Sequence, residues 1–175
     1  AIVNSADLDE TNGKRTANGE FKVTDIDLTQ VVNVSVISSS ATLNSSSTSD
    51  YDSDISSWLI LDANPILSSS ETTDTLSWKF DTLTEKFDNL SEGDELVLTY
   101  NIQISDGVTP VNETITITIT GTNDAPTLSI KDGDKSTGDI TETDESSRTA
   151  TGTFTVGEIE LNDTVMAEVS KVIVN

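Results

Sequence analysis

The chain has 175 residues, with 31 Asp and Glu against 9 Lys and Arg, a formal net charge of −22. A field of that sign repels nucleic-acid phosphates and anionic membrane surfaces and attracts cations, so nucleic acid is not an expected partner. Cys and His are both absent, which removes disulfides, thiolate sites, Cys nucleophiles and the commonest general base and zinc ligand.

The length suits one or two domains of roughly 100–200 residues each. No apolar run of about 18 residues occurs, so membrane insertion is not expected. No signal-peptide pattern is present either, and the N-terminus reads as an excision point within a longer chain. Two explanations of the acidity stay open: solubility, and binding of divalent cations.

In chain order, Glu20–Thr24 alternates with Phe21 and Val23 on one face, and Val32, Val34 and Val36 continue the pattern; both segments read as half-buried strands. Residues 38–57 are rich in Ser, Thr, Asn and Asp without an apolar period, which predicts either a long loop or a loosely paired insertion, solvated and mobile. Trp58-Leu-Ile-Leu61 is a short apolar run, and Leu76, Trp78 and Phe80 mark another strand. Leu83, Phe87 and Leu90 fall at helical spacing, predicting one or two helical turns. Glu95–Ser105 is the longest clean alternation, followed by the turn signal Asp106-Gly107 and a strand carrying Ile115, Ile117 and Ile119. Many strands, frequent turn signals and no long amphipathic helix indicate an all-β antiparallel sandwich. Its predicted core includes Phe21, Val23, Val34, Trp78, Phe80, Leu98, Tyr100, Ile102, Ile115 and Ile117.

The chain then repeats itself. Arg15-Thr-Ala-Asn-Gly-Glu-Phe-Lys-Val-Thr-Asp-Ile-Asp-Leu28 returns 133 positions later as Arg148-Thr-Ala-Thr-Gly-Thr-Phe-Thr-Val-Gly-Glu-Ile-Glu-Leu161. A solenoid turn spans roughly 20–50 residues, so this period is a whole domain. The expected organisation is a complete repeat over 1–120, a linker over 121–126 ending in Pro126, and the opening of the next repeat over 127–175.

Three segments carry a resemblance to the VCBS repeat, a cadherin-like domain of large bacterial RTX-type surface adhesins. They are Leu98-Thr-Tyr-Asn-Ile-Gln-Ile-Ser-Asp-Gly107 with the closing Gly121-Thr-Asn-Asp-Ala-Pro126; Thr75-Leu-Ser-Trp-Lys-Phe-Asp81 with Phe87-Asp-Asn-Leu-Ser-Glu-Gly93; and the repeated opening itself. The resemblance spans nearly all of 1–126 outside the Ser-rich stretch, and the opening of 127–175. It implies a Greek-key, cadherin-like or Ig-like sandwich in tandem, exported and displayed at the cell surface, with neighbouring repeats as its partners and calcium at the linkers.

Carried over by position, the resemblance implies a junction site of Glu10, Asn123, Asp124, Glu158 and Glu160. Asp25, Asp27 and Asp106 would form the half-site at the opposite end. Calcium takes six to eight oxygens, which one segment rarely supplies alone. The sequence departs from the pattern where Glu158 and Glu160 replace the Asp pair, adding a methylene to each ligand.

Plainer explanations stand beside these. Asp-x-Asp and Asn-Asp-x-Pro are ordinary turn sequences, and Asp132-Gly-Asp134 reads as a hairpin turn rather than a ligand set. Trp58 and Trp78 fit a core better than a sugar platform. No carboxylate pair stands out for glycosidase chemistry, so an enzyme is not expected. The first reading is a structural extender; the second is a binding module for an extracellular glycan or protein ligand.

Overall fold

The computed structural model describes residues 5–10, 13–27, 29–142, 147–160 and 163–173. It divides into two units, Ala1–Thr122 and Asn123–Asn175. The division falls inside the 121–126 segment expected to be a linker.

The fold is all-β. In the first unit one sheet runs in the order β1 (Ser5–Asp9), β8 (Val111–Thr120), β7 (Glu95–Ser105), β3 (Asn33–Leu43), β4 (Ser46–Thr48). A second runs β2 (Thr16–Thr24), β6 (Thr73–Asp81), β5 (Leu59–Leu61). Both sheets are open. Among the described residues all pairings are antiparallel except one: β1 runs parallel to β8, from Ser5 opposite Thr116 to Asp9 opposite Thr120. The expectation of an antiparallel sandwich is corrected at that pair.

The alternating residues of both sheets form one core. All ten expected core residues are buried, and Leu76, Phe80, Leu96, Leu98, Tyr100, Ile102, Ile115, Ile117 and Ile119 are wholly so. Aromatic rings are few but clustered. Tyr51, Trp58, Phe80, Phe87 and Tyr100 form a chain of tilted and edge contacts with centroids 5.5–6.4 Å apart. The Tyr100 hydroxyl donates to the Ile55 carbonyl at 2.9 Å, and burial raises its pKa. Both Trp residues are core residues.

Two local expectations are overturned. Of the two forms expected for 38–57, the long loop is not found, because the segment's first part is paired. β3 runs on through the serines to Leu43, paired with β7 as far as Leu43 opposite Leu96. It turns at Asn44 and Ser45, both at positive φ (49° and 66°), and returns as β4. This is the two-residue hairpin geometry that matches strand twist. Asn44 closes it by accepting the Glu95 N–H and donating to Asp94 Oδ1. The serines fit because this strand needs little from its outward face, while Ala41 supplies the buried contact.

The second correction concerns 83–90, which forms turns rather than a helix. Leu83 and Phe87 sit at φ 59° and 64°, outside helical space. Side chains take the backbone groups a helix would use: Asp81 Oδ1 accepts from Leu83 N–H, and Thr82 Oγ donates to the Glu85 carbonyl. Phe87 and Leu90 are buried nonetheless, whereas Leu83 is exposed. Among the described residues the helix is a single turn, α1 (Ile55–Trp58), which buries Ile55 and Trp58.

Asp81 is nearly buried between two cations, with Lys14 Nζ at 3.0 Å and Lys79 Nζ at 3.1 Å. The Lys14 hydrogen bonds, then the Leu83 N–H, then Lys79 lower its pKa from 3.8 to about 2. A carboxyl with a lowered folded pKa adds stability above its unfolded pKa and loses it as pH falls through the folded value. Melting temperatures should therefore drop as pH falls from 3.8 towards about 2. Asp81→Asn should be less stable than the parent above this window and should flatten the pH slope within it. Parallel slopes would assign the acid sensitivity to other carboxyls.

In the second unit, β9 (Thr127–Ser129) pairs antiparallel with β10 (Thr155–Gly157). Asp132 and Gly133 form a turn, closed by the Asp134 N–H on the Lys131 carbonyl. The Asp134 carboxylate accepts from the Lys131 N–H and the Thr155 hydroxyl, which lower its pKa. It closes a turn but not the expected hairpin, since β9 pairs with the distant β10.

Candidate metal centre

The repeated opening builds the same turn in each unit. In the first, Asp27 N–H donates to Asp25 Oδ1 at 3.0 Å, and Gln30 N–H donates to the Asp27 carbonyl at 3.4 Å. In the second, 133 positions on, Glu160 N–H donates to Glu158 Oε1 at 3.4 Å, and Asp163 N–H donates to the Glu160 carbonyl at 3.3 Å. The carboxylate at the first position folds back on the chain two residues later, as Asp side chains do in turns. Glu158 does the same with one more methylene and also accepts from Ile159 N–H at 2.8 Å.

In the second unit Glu158, Glu160 and Asp163 each bring a carboxylate oxygen within 4.8 Å of the others. Asp124 joins them from the segment after Gly121: its backbone N–H donates to Glu160 Oε2 at 3.0 Å. Glu160 is only 2% exposed, yet its Oε1 has no hydrogen-bond partner, and neither does Asp124 Oδ2. Burial raises the Glu160 pKa; the Asp124 N–H opposes this, and the charges of Asp163, Glu158 and Asp124 reinforce it. The two buried, unpartnered oxygens, Glu160 Oε1 and Asp124 Oδ2, lie among like charges and are costly unless a cation or a proton compensates them. The donor set is all oxygen, which fits a hard dication such as calcium rather than a transition metal.

The remaining expected ligands are placed as follows. Asn123 is exposed and its amide donates to the Asp124 carbonyl at 3.0 Å, so its side chain is turned to the backbone. Glu10 belongs to the first unit. It is 1% exposed, accepts the Thr122 hydroxyl on Oε2 at 2.8 Å, and leaves Oε1 without a hydrogen-bond partner. Asp25 and Asp106 line one shallow depression of about 260 Å³ with Val32, Ser105 and Thr109. Asp106 is committed to its turn, where Oδ1 accepts from Val108 and Thr109 N–H, and these bonds lower its pKa. Asp27 is exposed.

Asp163 was not singled out by the sequence. Its counterpart in the first copy is Gln30, so the repeat offered no carboxylate at that position to compare. Only the shared turn exposes the equivalence.

No family model matches the chain, and no curated protein matches it. Among solved structures the chain is similar to the CooA pilin subunit from enterotoxigenic Escherichia coli, at 15% identity and a TM-score of 0.32, over 69% of this chain and 92% of that one. A likeness of that size carries no argument about fold or function.

Proposed function

We propose that the chain is a structural extender: tandem cadherin-like, Greek-key repeats of an exported bacterial surface adhesin, stiffened by calcium where one repeat gives way to the next. It performs no catalysis, and its partners are neighbouring repeats of the same chain. The observation that carries this reading is the turn built twice, with carboxylates at its first and third positions in both copies. The strand order β1-β8-β7-β3-β4 beside β2-β6-β5 supports a Greek key, because β3 and β7 are neighbours although far apart in sequence.

The mechanism is electrostatic. Without a cation, Asp124, Glu158, Glu160 and Asp163 repel one another. With one, the segment at Asp124 is tied to the loop that carries the other three. Extracellular modules of this kind bind calcium at about 10⁻⁴–10⁻³ M. At tenfold excess over Kd, binding to the folded state alone adds about 1.4 kcal/mol.

The linkage also fixes a sign. A carboxyl with a raised folded pKa contributes stability that is lost as pH rises through that pKa. Without calcium, Glu160→Gln should therefore be at least as stable as the parent at neutral pH. With calcium the order should reverse, because the variant forfeits a ligand. Calorimetry on the full chain should show calcium binding that Glu160→Gln weakens by about tenfold, or 1.4 kcal/mol. No heat up to about 10 mM, well above the range of such modules, would remove calcium from the reading. A glycan array separates the spacer from a binding module, since a spacer leaves it blank.

A further inference from the structure

The parallel pairing of β1 with β8 joins two strands that stand at opposite ends of the first unit in sequence. β8 is firmly held. It pairs with β7 from Val111 opposite Ile104 to Thr120 opposite Glu95, and its Ile115, Ile117 and Ile119 are wholly buried. β1 is held differently, since none of its side chains is fully buried and only Ala6 and Leu8 pack partly against the core. Its attachment is therefore mainly the backbone ladder to β8. The Glu10 N–H donates to the Thr120 carbonyl at 2.7 Å. Backbone groups facing one neighbour belong to alternate residues, so Leu8 and Ala6 are the other β1 residues turned to β8. Beyond Thr120 the Thr122 hydroxyl adds a side-chain tie, 2.8 Å from Glu10 Oε2 and 3.1 Å from the Glu10 carbonyl.

We propose that the β1–β8 pair is a mechanical clamp that makes the first unit resist tension along the chain. Whatever the chain carries beyond either strand, tension pulls β1 back from its Ser5 end and β8 forward from its Thr120 end. In a parallel pair these two ends lie at opposite ends of the ladder. The strands are then sheared past each other, and the bonds of Ala6, Leu8 and Glu10 share the load. Were β1 antiparallel to β8, both loading points would lie at one end and the bonds would part in turn. A single parallel strand in an otherwise antiparallel unit thus has a mechanical consequence. The inference rests on reading the chain as an extender, which works under tension, and not on calcium.

The test is constant-force unfolding of the full chain, without calcium, in two directions. Held at its two termini, the chain loads β1 and β8 in shear. In the second direction it is held at its N-terminus and at Val108→Cys, an exposed position just before β8 in a chain with no other cysteine. The pull then acts where β1 and β8 both begin, and the ladder peels. Unfolding of the first unit end to end is recognised by the length released, about 400 Å for Ser5–Thr120 at roughly 3.5 Å per residue. Forced unfolding reads the unfolding rate. Peeling breaks one bond at a time, so at equal force it should be at least about tenfold faster than shear, the equivalent of about 1.4 kcal/mol or one hydrogen bond. Ala6→Pro removes one donor from the ladder and should speed end-to-end unfolding by about tenfold. Equal rates in the two directions, or an end-to-end rate that Ala6→Pro leaves unchanged, would overturn the clamp. If Ala6→Pro fails to fold, the comparison of directions decides alone. The two readings fail separately: glycan binding on the array removes the extender and leaves the direction dependence measurable, whereas equal rates remove the clamp and leave the array blank.

Discussion

Leu98→Ala should destabilise the first unit by about 2–5 kcal/mol, the range for removing a fully buried leucine. Leu98 lies inside β7 and is wholly buried. Its cross-strand neighbours are Ile117 on β8 and Ala41 on β3. The small Ala41 is what places the expected loss towards the upper end. A leucine or valine at 41 could swing into the vacated space, but a methyl group cannot, so the cavity stays. Val97→Ala, on the opposite face and only half-buried, should cost far less. Urea denaturation of both variants tests this, and a Leu98→Ala loss below about 1 kcal/mol would mean that the site collapses around the deletion.

That contrast shows which parts of the fold were legible. β7 alternates Leu, Tyr and Ile with Thr, Asn and Gln from Leu98 to Ile104, and β8 alternates Ile with Thr from Thr114 to Thr120, so their buried face could be read residue by residue. β3 could be read only as far as Val36. The register shift between Val36 and Ser38 moves the inward positions, and beyond it Ala41 alone is fully buried. A strand whose outward face is serine carries no period to detect. The hairpin signal at Asn44-Ser45 was present but weak, since its left-handed geometry is usually marked by glycine. At 83–90 the spacing of Leu83, Phe87 and Leu90 matched a helix by coincidence, and hydrogen bonds from Asp81 and Thr82 set the backbone instead.

The candidate site divides along the same line. Asp25, Asp27, Glu158 and Glu160 were legible because the repeat aligns them. Asp163 was not, because Gln30 occupies its place in the first copy. The burial of Glu10 was also hidden, since a lone surface-type residue carries no sign of its own environment. It follows from the backbone bond between Glu10 N–H and the Thr120 carbonyl, and from the Thr122 hydroxyl on its carboxylate.

Gly121→Ala should be the second large effect, about 1–3 kcal/mol or more, the range for forcing atoms into a filled site. Its cause differs from that of most conformational glycines. Gly93 and Gly107 need glycine for their torsion, at φ 83° and 92°, with open space around them. Gly121 needs it for room: a Cβ there would press into the Ser91 backbone carbonyl and the Leu90 side chain. Neither can yield cheaply. Leu90 is 1% exposed, and the backbone is pinned by Gly121 N–H on the Asp94 carbonyl at 2.8 Å and Gly93 N–H on the Gly121 carbonyl at 3.2 Å. These contacts join Leu90-Ser-Glu-Gly93 to Gly121-Thr122, two segments distant in sequence. Any shift at Gly121 also moves Thr122, whose hydroxyl holds the buried Glu10 carboxylate. Gly121→Ala should therefore lower the melting temperature and speed amide exchange at Glu10, whereas Gly93→Asn, which tolerates positive φ, should leave that exchange unchanged. If the two variants behave alike, the close approach at Gly121 is not what holds this end of the sheet.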